Sequence, residues 1–308
     1  MSTKSKRKSK TERTPLAPED YFDFPALKRV CEASENSFEI LYDMERVEVQ
    51  QQKPDNFYLF KDNGSSILAV AHLDTVGLAN SRLAQMVETE GGAVVYSRAL
   101  DDRLGAYVLA ELLPAMGLTF DLLLTVGEES GASTAAFFDP AEHHDREYNW
   151  IIEFDRGGTD VVLYQYEDEE LADRVEATGA DVEQGIFSDI SEMEHVGVKA
   201  MNWGVGYRDY HGPRSHVWLD DMFMMVGYFL DFHDTWQDTV MPHEPSPRFG
   251  YPQWGSSGAW TNENPFDWDE PECEALHWNV GPCSDEEQGV VVDGDMTLCP
   301  AHFEWVNR

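Results

Sequence analysis

Five short clusters of imidazole and carboxylate side chains recur between residues 72 and 214 of this chain, each beside an apolar run or a turn signal. The first is His72 with Asp74, at the end of Ile67-Leu68-Ala69-Val70-Ala71, a run that predicts a buried strand. Residues two apart at a strand end point to the same side, so the His72 imidazole can meet a metal while Asp74 orients it. The second cluster is Asp101-Asp102, ahead of a helical pattern, and the third is Glu128-Glu129, directly after an apolar strand signal. The fourth is Asp155, following Trp150-Ile151-Ile152-Glu153-Phe154. The fifth is His211 within Gly206-Tyr207-Arg208-Asp209-Tyr210-His211-Gly212-Pro213-Arg214, with His216 also within reach. One ion cannot use so many ligands, but two can. Two imidazoles with carboxylates suit two Zn2+, with Co2+ or Mn2+ as the other candidates. In such a pair one carboxylate bridges ions roughly 3.5–4 Å apart, and a further carboxylate stays free to take a proton from water. Glu128-Glu129 offers both a ligand and a free base, because adjacent side chains leave a strand end in different directions.

These clusters need elements to hold them. Residues 20–50 read as a helix followed by irregular chain. Phe57–Phe60 and Ile67–Ala71 read as paired strands, with Asp62-Asn63-Gly64 as the hairpin turn between them. Leu104–Met116 has helical spacing and stops before Gly117. Strands are expected at 120–126, 150–154, 161–166 and 199–207, and a long helix at 220–236. Strands alternating with helices predict an α/β fold: a mixed, mostly parallel central sheet with helices on both faces, forming a single catalytic domain. Ligands in such sheets gather at the carboxyl ends of strands, where four of the five clusters fall.

Taken in order, His-x-Asp-Thr-Val, Asp-Asp-Arg-x-Gly, Glu-Glu-x-Gly, a later Asp and a final His resemble the dizinc exopeptidase superfamily over about residues 55–235. That group includes leucyl-type and glutamyl aminopeptidases, glutamate carboxypeptidases and acetylornithine deacylases. The resemblance implies one zinc held by His72, Asp101 and Asp155 and a second held by Asp101, Glu129 and His211, with Asp101 bridging. It implies Asp74 as the carboxylate orienting His72, and Glu128 as the base that takes a proton from the attacking water and returns it to the leaving amine. It also implies a cis peptide between Asp101 and Asp102. His211 is preferred over His216 because its segment resembles the family's Gly-Tyr-x-x-x-His-Thr-Pro stretch; the acid that often follows there is missing, with Ser215 and His216 in its neighbourhood. Larger relatives insert a lid domain between the first His and the bridging Asp or before the final His. Neither interval here has room for one, so the expected layout is lidless, closest to the compact aminopeptidases. The expected substrate is a peptide; an N-acyl amino acid, cleaved by a deacylase or carboxypeptidase, is the alternative, and a silent assembly protein on a peptidase scaffold is the reading from outside enzymes.

Composition narrows the partners. The 308-residue chain carries 58 acids against 22 bases, a formal charge of −36. Such a body repels nucleic acid and anionic membranes. It suits a halophilic source, where salt screens the self-repulsion. No apolar stretch approaches the roughly 20 residues a membrane helix needs, and no secretory signal is legible, so a cytoplasmic location is expected. Residues 1–17 form a basic tail expected to be disordered, residues 18–240 the catalytic domain, and residues 241–308 an acidic extension holding Trp254, Trp260, Trp268, Trp278 and Trp305. Cys31, Cys273, Cys283 and Cys299 are too scattered for a disulfide framework. Cys299 and His302 make a Cys-x-x-His half-site that, with Cys273, Cys283 and His277, is a candidate structural zinc site; the other spacings match no zinc finger, so unpaired thiols are the preferred reading. His143, His144 and His195 read as surface residues, and Glu167–Glu170 as a solvated loop. Arg103 and Arg156, beside proposed ligands, either pair with a substrate carboxylate or neutralise the acids around them. Oligomeric state is not legible.

Overall fold

A computed structural model describes residues 17–49, 56–76 and 82–245, and the backbone of 290–292 and 296–298. Helix α1 (Phe24–Glu32) begins where the Asp23 carboxylate accepts from the Ala26 N–H at 3.3 Å, with Pro25 in the first turn. It is followed by α2 (Phe38–Tyr42), which ends on Asp43 in the left-handed region, φ 52°. Strands β1 (Glu45–Glu48), β2 (Phe57–Lys61) and β3 (Ile67–His72) come next, then a hairpin of β4 (Gln85–Thr89) and β5 (Gly92–Tyr96). Helix α3 (Leu100–Tyr107) runs through a π-turn at Val108–Leu112 into α4 (Leu113–Ala115). The chain reverses at Gly117, φ 90°, a conformation that favours glycine. Strands β6 (Asp121–Thr125), β7 (Trp150–Arg156) and β8 (Asp160–Val162) precede α5 (Glu169–Glu176) and β9 (Asp181–Glu183). Strands β10 (Ala200–Gly204), β11 (Tyr207–Arg208) and β12 (His216–Trp218) lead into α6 (Leu219–Trp236).

The main sheet has eight strands in the order β1-β2-β6-β3-β7-β10-β8-β9. Its centre, β6-β3-β7-β10, is parallel throughout, and antiparallel pairs attach β2 and β8 at its flanks. The expected α/β fold with a mixed, mostly parallel sheet is therefore what forms. Leu68, Val70, Leu123 and Ile151 are fully buried, as strands covered on both faces require. One face is covered by long helices: Phe229 of α6 lies 5.3 Å from Phe154 and 5.7 Å from Trp203 between ring centres. Phe22 meets both Tyr107 of α3 and Phe223 of α6, tying the two helices to that face. The alternate side chains of β7 face the other way, where the Glu153 carboxylate accepts from the Ser188 hydroxyl at 2.5 Å. Short 3-10 turns, including Thr134–Phe137 and Asp189–Glu192, cover this second face rather than long helices. A smaller antiparallel sheet, β11-β12-β5-β4, takes β4 and β5 from the interval between His72 and Asp101, and β11 and β12 carry the His211 loop between them. No lid-sized insertion is present among the described residues.

Several expectations change. β2 and β3 are not a hairpin, because β6 lies between them, antiparallel to one and parallel to the other. The Asn-Gly turn crosses the start of β6 instead, where the Asp121 carboxylate accepts from the Asn63 and Ser65 N–H groups at 2.9 and 3.0 Å. The irregular chain expected before residue 50 contains α2 and the strand β1, which pairs along β2. The acidic run 167–170 is partly helix: Asp168 caps α5 by accepting from the Leu171 N–H at 2.8 Å, and Glu169 and Glu170 occupy its favourable first turn. His143 and His144 are packed rather than on the surface, each with a side chain only 6% exposed. His143 stacks on Phe138, and His144 hydrogen-bonds the Tyr148 hydroxyl at 2.8 Å. Cys31 is buried and free. No helix among the described residues is long and apolar enough to cross a membrane. The chain divides into two units, Met1–Pro252 and Gln253–Arg308. In the second, the described backbone is an antiparallel pair, β13 (Val290–Val292) and β14 (Met296–Leu298). The basic tail, the tryptophans of the extension, Cys273, His277, Cys283, Cys299 and His302 lie outside the described residues.

Candidate metal centre

Because β6, β3 and β7 are parallel neighbours, their carboxyl ends open on one edge of the sheet. His72 is the last residue of β3 and is completely buried. Its Nδ1 donates to the Asp74 backbone carbonyl at 2.8 Å, which leaves Nε2 facing the centre. The Asp74 carboxylate, expected to orient this ring, stands 3.7 Å from Nδ1 and does something else. It accepts from the Gly127 and Glu129 N–H groups at 2.8 and 3.2 Å and so holds the turn after β6. That turn needs Gly127: φ is 90°, and a Cβ there would fall 2.5 Å from the Ala132 carbonyl oxygen. Asp74 thus orients His72 through its main chain and the Glu128-Glu129 pair through its side chain.

Asp101 stands at the start of α3 in non-helical backbone, φ −89° and ψ 108°, and the Asp101-Asp102 peptide is cis. Asp102 turns inward, accepting from the Gly105 N–H at 3.0 Å. Gly105 is obligatory because a Cβ would lie 2.4 Å from the Phe154 carbonyl oxygen, where α3 crosses β7. Asp155 is held on three sides. Its N–H donates to Asn202 at 2.8 Å, its carbonyl accepts from the Asn202 amide at 3.0 Å, and its carboxylate accepts from the Tyr207 hydroxyl at 2.9 Å. His211 comes from the β11–β12 loop with φ 60°, a conformation uncommon for a residue bearing a Cβ.

These side chains meet in two triads that share Asp101. His72, Asp101 and Asp155 form one; Asp101, Glu129 and His211 form the other, and within each the nearest ligand atoms lie within 4.8 Å of one another. His72 Nε2 is 3.2 Å from Asp101 Oδ1 and 3.6 Å from Asp155 Oδ2. His211 Nε2 is 2.9 Å from Asp101 Oδ2 and 3.0 Å from Glu129 Oε2. Glu128 stands beside both, its Oε2 3.7 Å from His72 Nε2, and its carboxylate makes no hydrogen bond among the described residues. The structure thus brings together every residue the sequence singled out for this centre and sorts the two histidines. His216 lies on β12 with its ring against Tyr96, and its Nδ1 donates to the Arg214 carbonyl at 2.9 Å. Neither arginine points at the centre. Arg103 is buried under α1, its guanidinium over the Phe38 ring, and Arg156 pairs with Asp160 at 2.9 Å.

The donor set fits divalent ions. Without them the acids crowd one another. Burial, helped by the nearby Asp101, pushes the Asp155 carboxyl up to about 7. Burial, with Asp155, Asp189 and Asp101 adding to it, pushes Glu128 up to about 9. Burial works against charge on both imidazoles, yet the carboxylates prevail: His72 is raised well above its usual value, and His211 to about 10. Desolvation opposes charge on Asp101 too, but the two imidazoles hold it below the usual carboxylate range. Protons stand here where cations would neutralise the same oxygens.

Sequence reasoning missed a second layer of buried acids. Asp189 accepts from the Thr125 and Ser133 hydroxyls, and Glu153 from Ser188. Burial raises both. Glu153 carries a visible signal, since it shares the β7 face of Asp155. Asp189, opening a short 3-10 turn 64 and 56 residues from Thr125 and Ser133 in sequence, carries none.

No family model and no curated protein matches the sequence. Solved structures do resemble this one. A tripeptidase from Staphylococcus aureus superposes with a TM-score of 0.52 at 11% identity, covering 73% of this chain and 100% of its own. The fold is shared with this tripeptidase. An aminopeptidase from the archaeon Desulfurococcus kamchatkensis matches at a TM-score of 0.47 and 13% identity over 72% of this chain and 98% of its own. The aminopeptidase PepT from Bacillus cereus matches at 0.45 and 12% over 68% and 96%. The likeness in fold rests on the first of these.

Proposed function

We propose that this chain is a two-metal exopeptidase, an aminopeptidase in the first instance. The observation that carries the reading is the pair of triads sharing Asp101, with the unligated Glu128 carboxylate beside them. A purely structural metal site has no use for such a free base. His72, Asp101 and Asp155 would hold one ion and Asp101, Glu129 and His211 the other, with two Zn2+ favoured by the mixed N/O donors and Co2+ or Mn2+ as alternatives. When bound, such ions supply Lewis acidity toward water and the scissile carbonyl. The chain supplies the rest. Glu128 takes a proton from the attacking water and hands it to the departing nitrogen. Asp74 fixes where Glu128 stands by holding the Gly127–Glu129 turn, and Asn202 and Tyr207 fix Asp155.

Peptide substrates fit a centre over which the described residues place no lid-sized insertion. The proposed organisation is a catalytic unit preceded by a basic tail and followed by an acidic extension. The test is hydrolysis by zinc- or cobalt-loaded protein of aminoacyl-arylamides and short peptides, set against N-acyl amino acids. Turnover of the first group supports the aminopeptidase reading; turnover of the second alone makes the chain a deacylase or carboxypeptidase. Inactivity of the metal-loaded protein on both would favour a binding protein on a peptidase scaffold.

A further inference from the structure

We propose that a cleft beside the centre is a subsite for a substrate carboxylate, and that Arg98 is the residue that binds it. The inference rests on the exopeptidase reading above. The cleft has a volume of about 200 Å³, and its lining includes Tyr96, Ser97, Arg98, Pro213 and Ser215. Its two walls are the segments that deliver the proposed ligands. Arg98 precedes Asp101 by three residues, a span of at most roughly 11 Å of extended chain. Ser215 follows His211 by four. The walls are joined where the Ser97 N–H donates to the Ser215 carbonyl at 3.2 Å.

Arg98 differs from every other described cation. Lys28, Arg29, Arg46, Arg82, Arg146, Arg156, Arg174, Lys199, Arg208 and Arg214 all pair with acids. Lys61 and Arg103 donate to backbone carbonyls. Arg98 is exposed and makes neither an ion pair nor a side-chain hydrogen bond among the described residues. In a chain of charge −36, acids to pair with are abundant, so an unpaired guanidinium beside an acid-rich centre is left for a ligand of its own. Its planar fork suits a carboxylate held by two parallel hydrogen bonds. Ser215 adds a buried hydroxyl with no partner in the same lining, and Tyr96 and Pro213 add apolar walls for the carbon atoms that carry the acid.

The carboxylate has two possible sources: an acidic side chain on the residue being released, or the chain end of a very short peptide. Two substrate pairs separate them, glutamyl- against glutaminyl-arylamide and Leu-Gly against Leu-glycinamide, each with zinc-loaded wild type, R98Q and R98K. R98Q is expected to lower kcat/KM about 10–100-fold for the acidic member of one pair, mainly through KM, and to leave the neutral member within about 3-fold. R98K should restore part of the loss. Equal effects on acidic and neutral members, or none, overturn the subsite. If wild type turns over nothing, the exopeptidase reading fails while the subsite remains testable by calorimetry. Glutamate should then bind at least about tenfold more weakly to R98Q, with glutamine unchanged; the same change for both would overturn it.

Discussion

The two halves of the centre are built on different foundations. The His72 half stands on the parallel core: its imidazole is fully buried, and the Asp155 carboxylate is held by Tyr207 while its backbone is bracketed by Asn202. The His211 half hangs from a loop of the small antiparallel sheet, with a left-handed backbone and a side chain 38% exposed. One half is preorganised by packing and the other is assembled from a surface segment. Metal affinity and thermal stability should therefore be coupled on the first side and separable on the second.

Asp101→Asn should have the largest effect, since both triads lose their shared oxygen. Elemental analysis should show loss of both ions, with activity down by about 10⁴ or more. Retention of two ions would refute the bridging role. Glu128→Gln should keep both ions and lower kcat by about 10²–10⁴. A variant turning over normally would remove Glu128 from the chemistry. His72→Ala and His211→Ala address the comparison itself. The first opens a void in a closed core and should lower the melting temperature by several degrees, from a loss of about 2 kcal/mol or more. The second should strip one ion while moving the metal-free melting temperature little; equal destabilisation by the two would erase the distinction. Tyr207→Phe removes a partner of Asp155 and should weaken metal binding on the His72 side by about 10–100-fold, with the other ion retained.

The smallest effect is in pH. In the metal-free chain Asp155 titrates near 7 and His211 near 10, both above their ordinary values. Each holds a proton that an ion must displace, so affinity should rise with pH through that range, and calorimetry in buffers of different ionisation heat should show proton release. The sign for folding is opposite. Groups raised in the folded state bind more protons there than when unfolded. Their contribution is full below their unfolded values and lost as pH climbs through about 7 for Asp155 and about 10 for His211. Metal-free protein should therefore melt at lower temperature as pH rises across that window, and the metal-loaded protein should not.

Much of the centre was legible because its proposed ligands sit where short-range signals are strong. His72 closes an unbroken apolar run, and Glu128-Glu129 follows another, so strand ends could be read from periodicity alone. The hairpin between β2 and β3 was misread because Asn-Gly marks a turn without saying which strand comes alongside; β6, some sixty residues later in the chain, takes the place between them. The hairpin β4–β5 escaped notice because β4 is exposed along its whole length and so lacks the alternation that marks a half-buried strand. His143 and His144 looked like surface residues because no local pattern announces that Phe60, Phe138 and Tyr148 will surround them.

By itself the sequence determined the composition of the centre: two imidazoles, four carboxylates and their order along the chain, together with the parallel strands whose ends carry most of them. Those features depend on residue type and on periods of two or 3.6, which are local. Only the tertiary structure decided that His211 rather than His216 reaches Asp101, that the Asp74 carboxylate holds the Glu128 turn while its carbonyl orients His72, and that Arg98 is left without a partner among the described residues. Each of these depends on which distant segments become neighbours, and that is settled by the packing of the whole sheet rather than by any stretch of the chain.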